Sequence, residues 1–139
     1  MWVIFEGLDK SGKGTLEWEF LKATNFKHIV IDRGPAGYLT FDLLLKRQTK
    51  EGNNEYVNNV SLMKESKAFV VVYCKAPADI AIKRINEHNE KCPYNYEKAQ
   101  ELYDDAIETL YKNQGIKVIE VDTTKSIEDC INLILGGLK

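Results

Sequence analysis

The chain is poor in the residues that build covalent or metal frameworks. Its 139 residues include three cysteines, Cys74, Cys92 and Cys130, odd in number and far apart. That spacing excludes a paired disulfide framework and does not match zinc-ligand spacing. It fits buried, inert thiols in a reducing setting, the cytoplasm. His28 and His88 are the two histidines, and neither has a partnering acid or cysteine pattern that would make it a metal ligand or part of an activated nucleophile. No apolar run approaches the ~18 residues of a membrane-spanning helix. The opening run from Trp2 is broken by Glu6 and lacks the flanks of a signal peptide. Charge of one sign is also scarce: a formal net charge of −2 argues against nucleic-acid binding by bulk electrostatics. No repeat, low-complexity tract or linker divides the chain.

What is present is an ordinary globular composition, 44% hydrophobic and 29% charged, which at this length implies one domain over 1–139 with a single core. Trp2 to Phe5 is a continuous apolar run that suits a strand buried on both faces, and His28 to Ile31 reads as a second buried strand. "AFVVVY" from Ala68 is the most strand-like stretch, and Lys117 to Val121 is the last strand. Between them, Leu16, Phe20 and Leu21 mark a helix from Thr15 to about Thr24. Gly34-Pro35 opens a helix from about Ala36 to Lys50. Glu51-Gly52-Asn53-Asn54 reads as a turn cluster, followed by Tyr56, Val60 and Met63 at helical spacing. Pro77 opens a helix whose buried stripe is Ala78, Ala81, Ile82 and Ile85, with a loop around Lys91-Cys92-Pro93 after it. Tyr96 to Tyr111 is a long helix ended by Gly115. Ser126 caps a final helix carrying Ile127, Cys130, Ile131 and Ile134. The order indicates an α/β three-layer sandwich with a mainly parallel sheet of about four strands. Ligands of such sheets bind at the carboxyl ends of the strands, where the glycine loop, Asp32 and Thr123 to Lys125 gather.

The loop "FEGLDKSGKGT" carries Gly7, Gly12 and Lys13 as G-x-x-x-x-G-K. Glycines let backbone N–H groups close around phosphate oxygens, the following helix adds positive potential, and Lys13 reaches the β and γ phosphates of ATP. Ser11, Gly14 and Thr15 complete this ATP-binding stretch of a P-loop NTPase. Gly14 stands where such a loop usually has Ser or Thr, so the hydroxyl comes one place later, at Thr15. Asp32 ends a strand, a position from which a carboxylate holds Mg2+ or its water shell; the alternative is an acid capping the next helix. Arg33 beside it can grip a phosphate bidentately, the alternative being a surface salt bridge.

The stretch from Phe5 to Thr15, with "VIDRGPAGYLTFD", "CKAPADIAIKRI", "YEKAQELYDDAIETLY" and "KVIEVDTTKSIEDCI" in that order, resembles the thymidylate kinase family across nearly the whole chain. The resemblance implies an enzyme, a P-loop nucleoside monophosphate kinase using ATP and Mg2+, with a possible homodimer through apolar helix faces. On it, Asp9 would bind the acceptor sugar and Arg33 the acceptor phosphate. Lys10 would neutralise the moving phosphoryl group, or else is a solvated lysine. Arg84 would pack on the adenine of ATP, or else is a solvated lid charge. Phe41 would lie beside the acceptor sugar with Tyr38 on the same helix face, core packing being the alternative for both.

Two departures from the family stand out. The segment between the first helix and "HIVIDR", which holds an acceptor-gripping arginine, is absent, and Gly14 gives the loop an adenylate kinase-like "GKGT" form. A third change has chemical content: Asp42 stands where the family has a base-reading glutamine. A carboxylate only accepts hydrogen bonds, so Asp42 suits a base edge with two donors, as in guanine. Rival readings are a kinase for a nucleoside or another small hydroxyl acceptor, and a nucleotide-binding module without catalysis.

Overall fold

The computed structural model describes residues 1–88 and 91–139. Strand β1 (Trp2–Glu6) is followed by α1 (Lys13–Ala23), β2 (Ile29–Asp32), α2 (Pro35–Leu44), α3 (Lys50–Ser66), β3 (Phe69–Lys75), α4 (Ala78–Glu87) and α5 (Tyr96–Ala106). A π-helical turn (Ile107–Tyr111) and a 3₁₀ turn (Lys112–Gln114) lead to β4 (Val118–Asp122) and α6 (Ile127–Gly137). The four strands pair in parallel in the order β2-β1-β3-β4.

Alternation along the strands divides the interior in two, because successive side chains leave a strand on opposite faces. Val3, Phe5, Val70 and Val72 pack with Leu16 and Phe20 of α1 and Ile131 and Ile134 of α6. Ile4, Val71 and Tyr73 face the other way, onto Phe41, Val60, Met63, Ala81, Ala99 and Tyr103 from α2 to α5. The result is the expected three-layer α/β sandwich. Among the described residues no helix is long and apolar enough to cross a membrane.

Several local expectations are corrected. His28 to Ile31 is not a buried strand: β2 lies at the sheet edge with a neighbour on one side, and Ile29 is 51% exposed. The helix from Ala36 ends at Leu44, where Lys46 turns to a φ of 55°. Glu51-Gly52-Asn53-Asn54 is not a turn but the start of α3, because the Thr49 hydroxyl accepts from the Gly52 N–H at 2.9 Å and caps it. Ile82 and Ile127 leave the buried stripes expected of them, and both are exposed. The long helix from Tyr96 stops being α-helical at Ala106. The wider π turn rotates each residue less, which returns Tyr111 to the face Tyr103 occupies.

Candidate active site

The turn from β1 into α1 is shaped by glycine. Gly12, the residue before α1, has a φ of 90°, and a Cβ on it would lie 2.9 Å from Thr123 Cβ. A Cβ on Gly7 would lie 2.6 Å from the Cys74 carbonyl oxygen and 2.7 Å from Ser11 Oγ. The first turn of α1 has no acid and no side-chain cap. Its N–H groups and positive dipole end are therefore left for an anion, as a phosphate site requires. Ser11 Oγ is buried inside the loop with no partner among the described residues.

Lys13 Nζ lies 2.5 Å from an Asp32 carboxylate oxygen at the end of β2. Glu17, one helical turn after Lys13 and so on the same face, stands against Asp32. Burial, then the hydrogen bond and charge of Asp32, push the Glu17 carboxyl up to about 8. Burial acts to raise Asp32 too, but hydrogen bonds from Glu17 and Lys13 and the nearby cationic charges outweigh it and hold Asp32 below the usual value. A cavity of about 460 Å³ is bordered by Asp9, Lys10, Lys13, Thr15, Glu17 and Asp32. Next to it, a cavity of about 390 Å³ shares Lys10, Gly12 and Thr15 and runs to Arg84, His88 and Lys125. Arg84 reaches from α4 to donate to the Lys10 carbonyl at 3.0 Å and the Thr123 carbonyl at 3.2 Å. It thereby ties α4, the glycine loop and the end of β4 together.

On the far side of the loop, Arg33 holds a φ of 67°. Its guanidinium lies 4.2 Å above the Phe41 ring, which meets Tyr94 edge-on at 5.8 Å. Nη2 is 3.7 Å from Asp9, beyond hydrogen-bond range, and the buried Nε has no partner among the described residues. Tyr94 and Tyr96 donate to the Asp9 carboxylate and carbonyl at 3.4 and 3.3 Å. Asp9, Arg33 and Phe41 thus lie together beside the glycine loop. Tyr38 and Phe41 part company: Phe41 is buried and Tyr38 is 48% exposed, stacked on Tyr56 at 6.5 Å. Tyr56 also donates to Asp42, and Arg47 Nε donates to Asp42 at 2.8 Å. Burial and then the bond to Asp42 push the Tyr56 hydroxyl up to about 12.

Sequence reasoning missed the group that holds these pieces in register. Glu6 is wholly buried at the end of β1. One of its oxygens accepts from Gly34 N–H at 3.0 Å and Tyr103 OH at 2.7 Å, the other from Gly37 N–H at 3.2 Å and Tyr111 OH at 2.5 Å. The two phenols in turn accept from Gly7 N–H at 2.9 Å and Ala36 N–H at 3.1 Å. The glycine loop, the Arg33 corner and α5 with its π turn are therefore pinned to one carboxylate. The available signal was an acid inside an apolar strand run, placed two residues from Ile4 on the same sheet face.

No family model and no curated protein matches the chain. Solved structures do. The YorR protein from Bacillus subtilis, in complex with phosphorylated GDP, is 17% identical over 99% of this chain and 95% of that one, with a TM-score of 0.76. Deoxyadenosine kinase from M. mycoides, with the products dCMP and a flexible dCDP, is 18% identical over 99% of this chain and 98% of that one, with a TM-score of 0.60. The same kinase with bound dATP is 17% identical over 99% of both chains, with a TM-score of 0.58. The likeness establishes that the chain shares the α/β fold of these structures along essentially its full length.

Proposed function

We propose that the protein transfers the γ-phosphoryl group of ATP to a nucleoside monophosphate, in the manner of the thymidylate kinase family that its sequence resembles. The observation that carries this reading is Arg33. Its guanidinium is held over Phe41, with its buried Nε unpartnered among the described residues, 3.7 Å from Asp9 of the glycine loop. Such a cation suits an acceptor that itself bears a phosphate. Lys13 would exchange Asp32 for the β and γ phosphates, and Lys10, bordering both cavities, would sit where the two anionic substrates meet. Little covalent work is then asked of the protein, since charge neutralisation and alignment dominate phosphoryl transfer.

The residues beside the loop fit a divalent cation. Asp32 and Thr15 border the cavity, and a buried Glu17 oxygen there accepts no hydrogen bond among the described residues. Asp32 and Thr15 would hold Mg2+, which when bound neutralises phosphate charge. Exposed Leu43, Val57 and Leu62 on α2 and α3 suit the homodimer that the resemblance implies.

The acceptor phosphate is tested by Arg33→Ala. The acceptor KM is expected to rise by about a hundredfold, on the scale of a lost charge-assisted pair of ~1.5–3 kcal/mol, while the KM for ATP stays within about threefold. An unchanged acceptor KM would instead favour a hydroxyl acceptor, the reading to which the deoxyadenosine kinase fold gives weight. ATP binding without ADP release across a full panel of ribo- and deoxynucleoside monophosphates would leave a binding module.

Asp42 makes the acceptor base specific. Held by Tyr56 and Arg47, it offers a carboxylate with a guanidinium beside it. The carboxylate can accept from the N1-H and amino group of guanine, and the guanidinium can donate to its O6 edge. Turnover of dGMP is expected to exceed that of dTMP; faster turnover of dTMP would remove Asp42 from base reading.

A further inference from the structure

We propose that Glu17 is a metal-binding residue of this site: its carboxylate joins Asp32 and Thr15 around the divalent cation and supplies the ligand that a hydroxyl at position 14 would give. This role for Glu17 rests on the kinase reading above and deepens it.

The first observation is an oxygen without a use. Glu17 Oε1 is shielded from solvent and accepts no hydrogen bond among the described residues, and the hydrogen bond between the Glu17 and Asp32 carboxyls forms only while Glu17 carries the proton. Buried carboxylate oxygens are costly unless met by a donor or a cation. The second is position. Glu17 lies on α1 one turn beyond Lys13 and borders the same cavity as Lys13, Gly14, Thr15 and Asp32. The third is the neighbour it was folded against. Two carboxyl groups from α1 and β2 stand side by side, an arrangement that repels unless a proton or a cation lies between them. Lys13 faces both, and in the kinase reading Lys13 is drawn away to the phosphates, leaving two carboxylates for a second positive charge. Mg2+ takes that place naturally, because it favours hard oxygen ligands and is commonly bound by one or two carboxylates together with substrate phosphates.

The fourth observation is the gap at Gly14. A Cβ built on Gly14 meets nothing within 4 Å, so no packing demand explains the glycine. The usual hydroxyl is absent where there is room for it, and an unpartnered carboxylate oxygen stands three residues on in the same helix. The two features account for each other if the cation is held from Glu17 instead.

The test uses Mn2+ as the probe ion, its free concentration read by electron paramagnetic resonance, with the full chain and a non-transferable imido analogue of ATP. Glu17→Gln is expected to weaken Mn2+ binding to the protein–nucleotide complex by about tenfold or more, while metal-free nucleotide affinity and Tm stay near wild type. Gly14→Ser in the Glu17→Gln background is expected to recover most of that loss. Glu17→Asp keeps the charge but draws it back by one methylene, so weaker Mn2+ binding there gives the same answer should the glutamine variant fold poorly. Wild-type Mn2+ affinity in both Glu17 variants, with weakened binding in Asp32→Asn, would overturn the proposal and leave Glu17 as a proton partner of Asp32. Weakened binding in Glu17→Gln with no recovery on adding Gly14→Ser would overturn the replacement of the hydroxyl. A wild-type protein that binds no nucleotide would overturn the kinase reading itself, an outcome distinct from the other two.

Discussion

Glu6→Gln is expected to lower the thermal unfolding midpoint by on the order of 10 °C. The carboxylate is wholly buried and accepts from two backbone N–H groups and two phenols, which matches its full set of about four lone-pair sites. An amide keeps the shape but turns one oxygen into a donor. Whichever way it is oriented, an NH2 then points at a backbone N–H and a phenol that have no other carboxylate to turn to. The phenols cannot simply reverse, because each already accepts from a backbone N–H, Gly7 or Ala36. Leaving buried donors unmet costs about 1–3 kcal/mol each, so a total near 3 kcal/mol is a conservative expectation. Tyr111→Phe removes one of the carboxylate's four donors and also the acceptor of the Ala36 N–H, and about 2 kcal/mol is expected there. Thermal denaturation followed by circular dichroism measures both, and a Glu6→Gln midpoint within about 2 °C of wild type would show that the network is not a stability element.

The same network explains why the fold was more legible in the sequence than the site was. Strands and most helices announce themselves locally: "WVIF" and "FVVVY" as apolar runs, Leu16 and Phe20 at helical spacing, Ser126 as a cap whose side chain accepts from the Asp129 N–H. The glycine loop is equally local, since its spacing fixes its own geometry. Even the misread segments failed for local reasons with nonlocal remedies. Gly52 and Asn53 have turn chemistry, but Thr49 caps the helix ahead of them and Val60 and Met63 anchor it to the core. The edge position of β2 depended on strand order, which periodicity does not contain.

The site's second half is of that nonlocal kind. Glu6 meets Tyr103 and Tyr111 across separations of 97 and 105 residues, and the π turn that aligns the two tyrosines has no composition of its own. Family resemblance assigns Asp9 to the acceptor sugar and Arg33 to its phosphate, and the two side chains lie 3.7 Å apart. Tyr94 and Tyr96 closing on Asp9, and Arg47 and Tyr56 closing on Asp42, had no sequence signal. Glu17 carries no sequence signal of its own, and only the fold sets Asp32 against it.

On the proposed kinase reading, Lys13→Met is expected to lower kcat for phosphoryl transfer by about a thousandfold, the scale on which loss of one preorganised charge at the moving group is felt, with little change in stability. The methionine keeps the apolar stem that fills the site, where the Lys13 side chain is 11% exposed. What is removed is the ammonium. Its partner Asp32 is 63% exposed, so the ion pair itself contributes at most about 1 kcal/mol to folding, and the freed carboxylate can turn to water. The phosphates of ATP have no such substitute. The loop's backbone N–H groups and the α1 dipole still bind them, so ATP affinity should fall by only about tenfold. The charge that grows between donor and acceptor oxygens, however, then meets one cation fewer. Steady-state ADP release, a metal-free nucleotide binding titration and Tm, measured together, separate the two effects. A variant that turns over within about tenfold of wild type would move the catalytic charge away from Lys13, toward Lys10 and Arg33. A variant that loses binding and turnover in equal proportion would make Lys13 a holder of ATP rather than a stabiliser of the transfer.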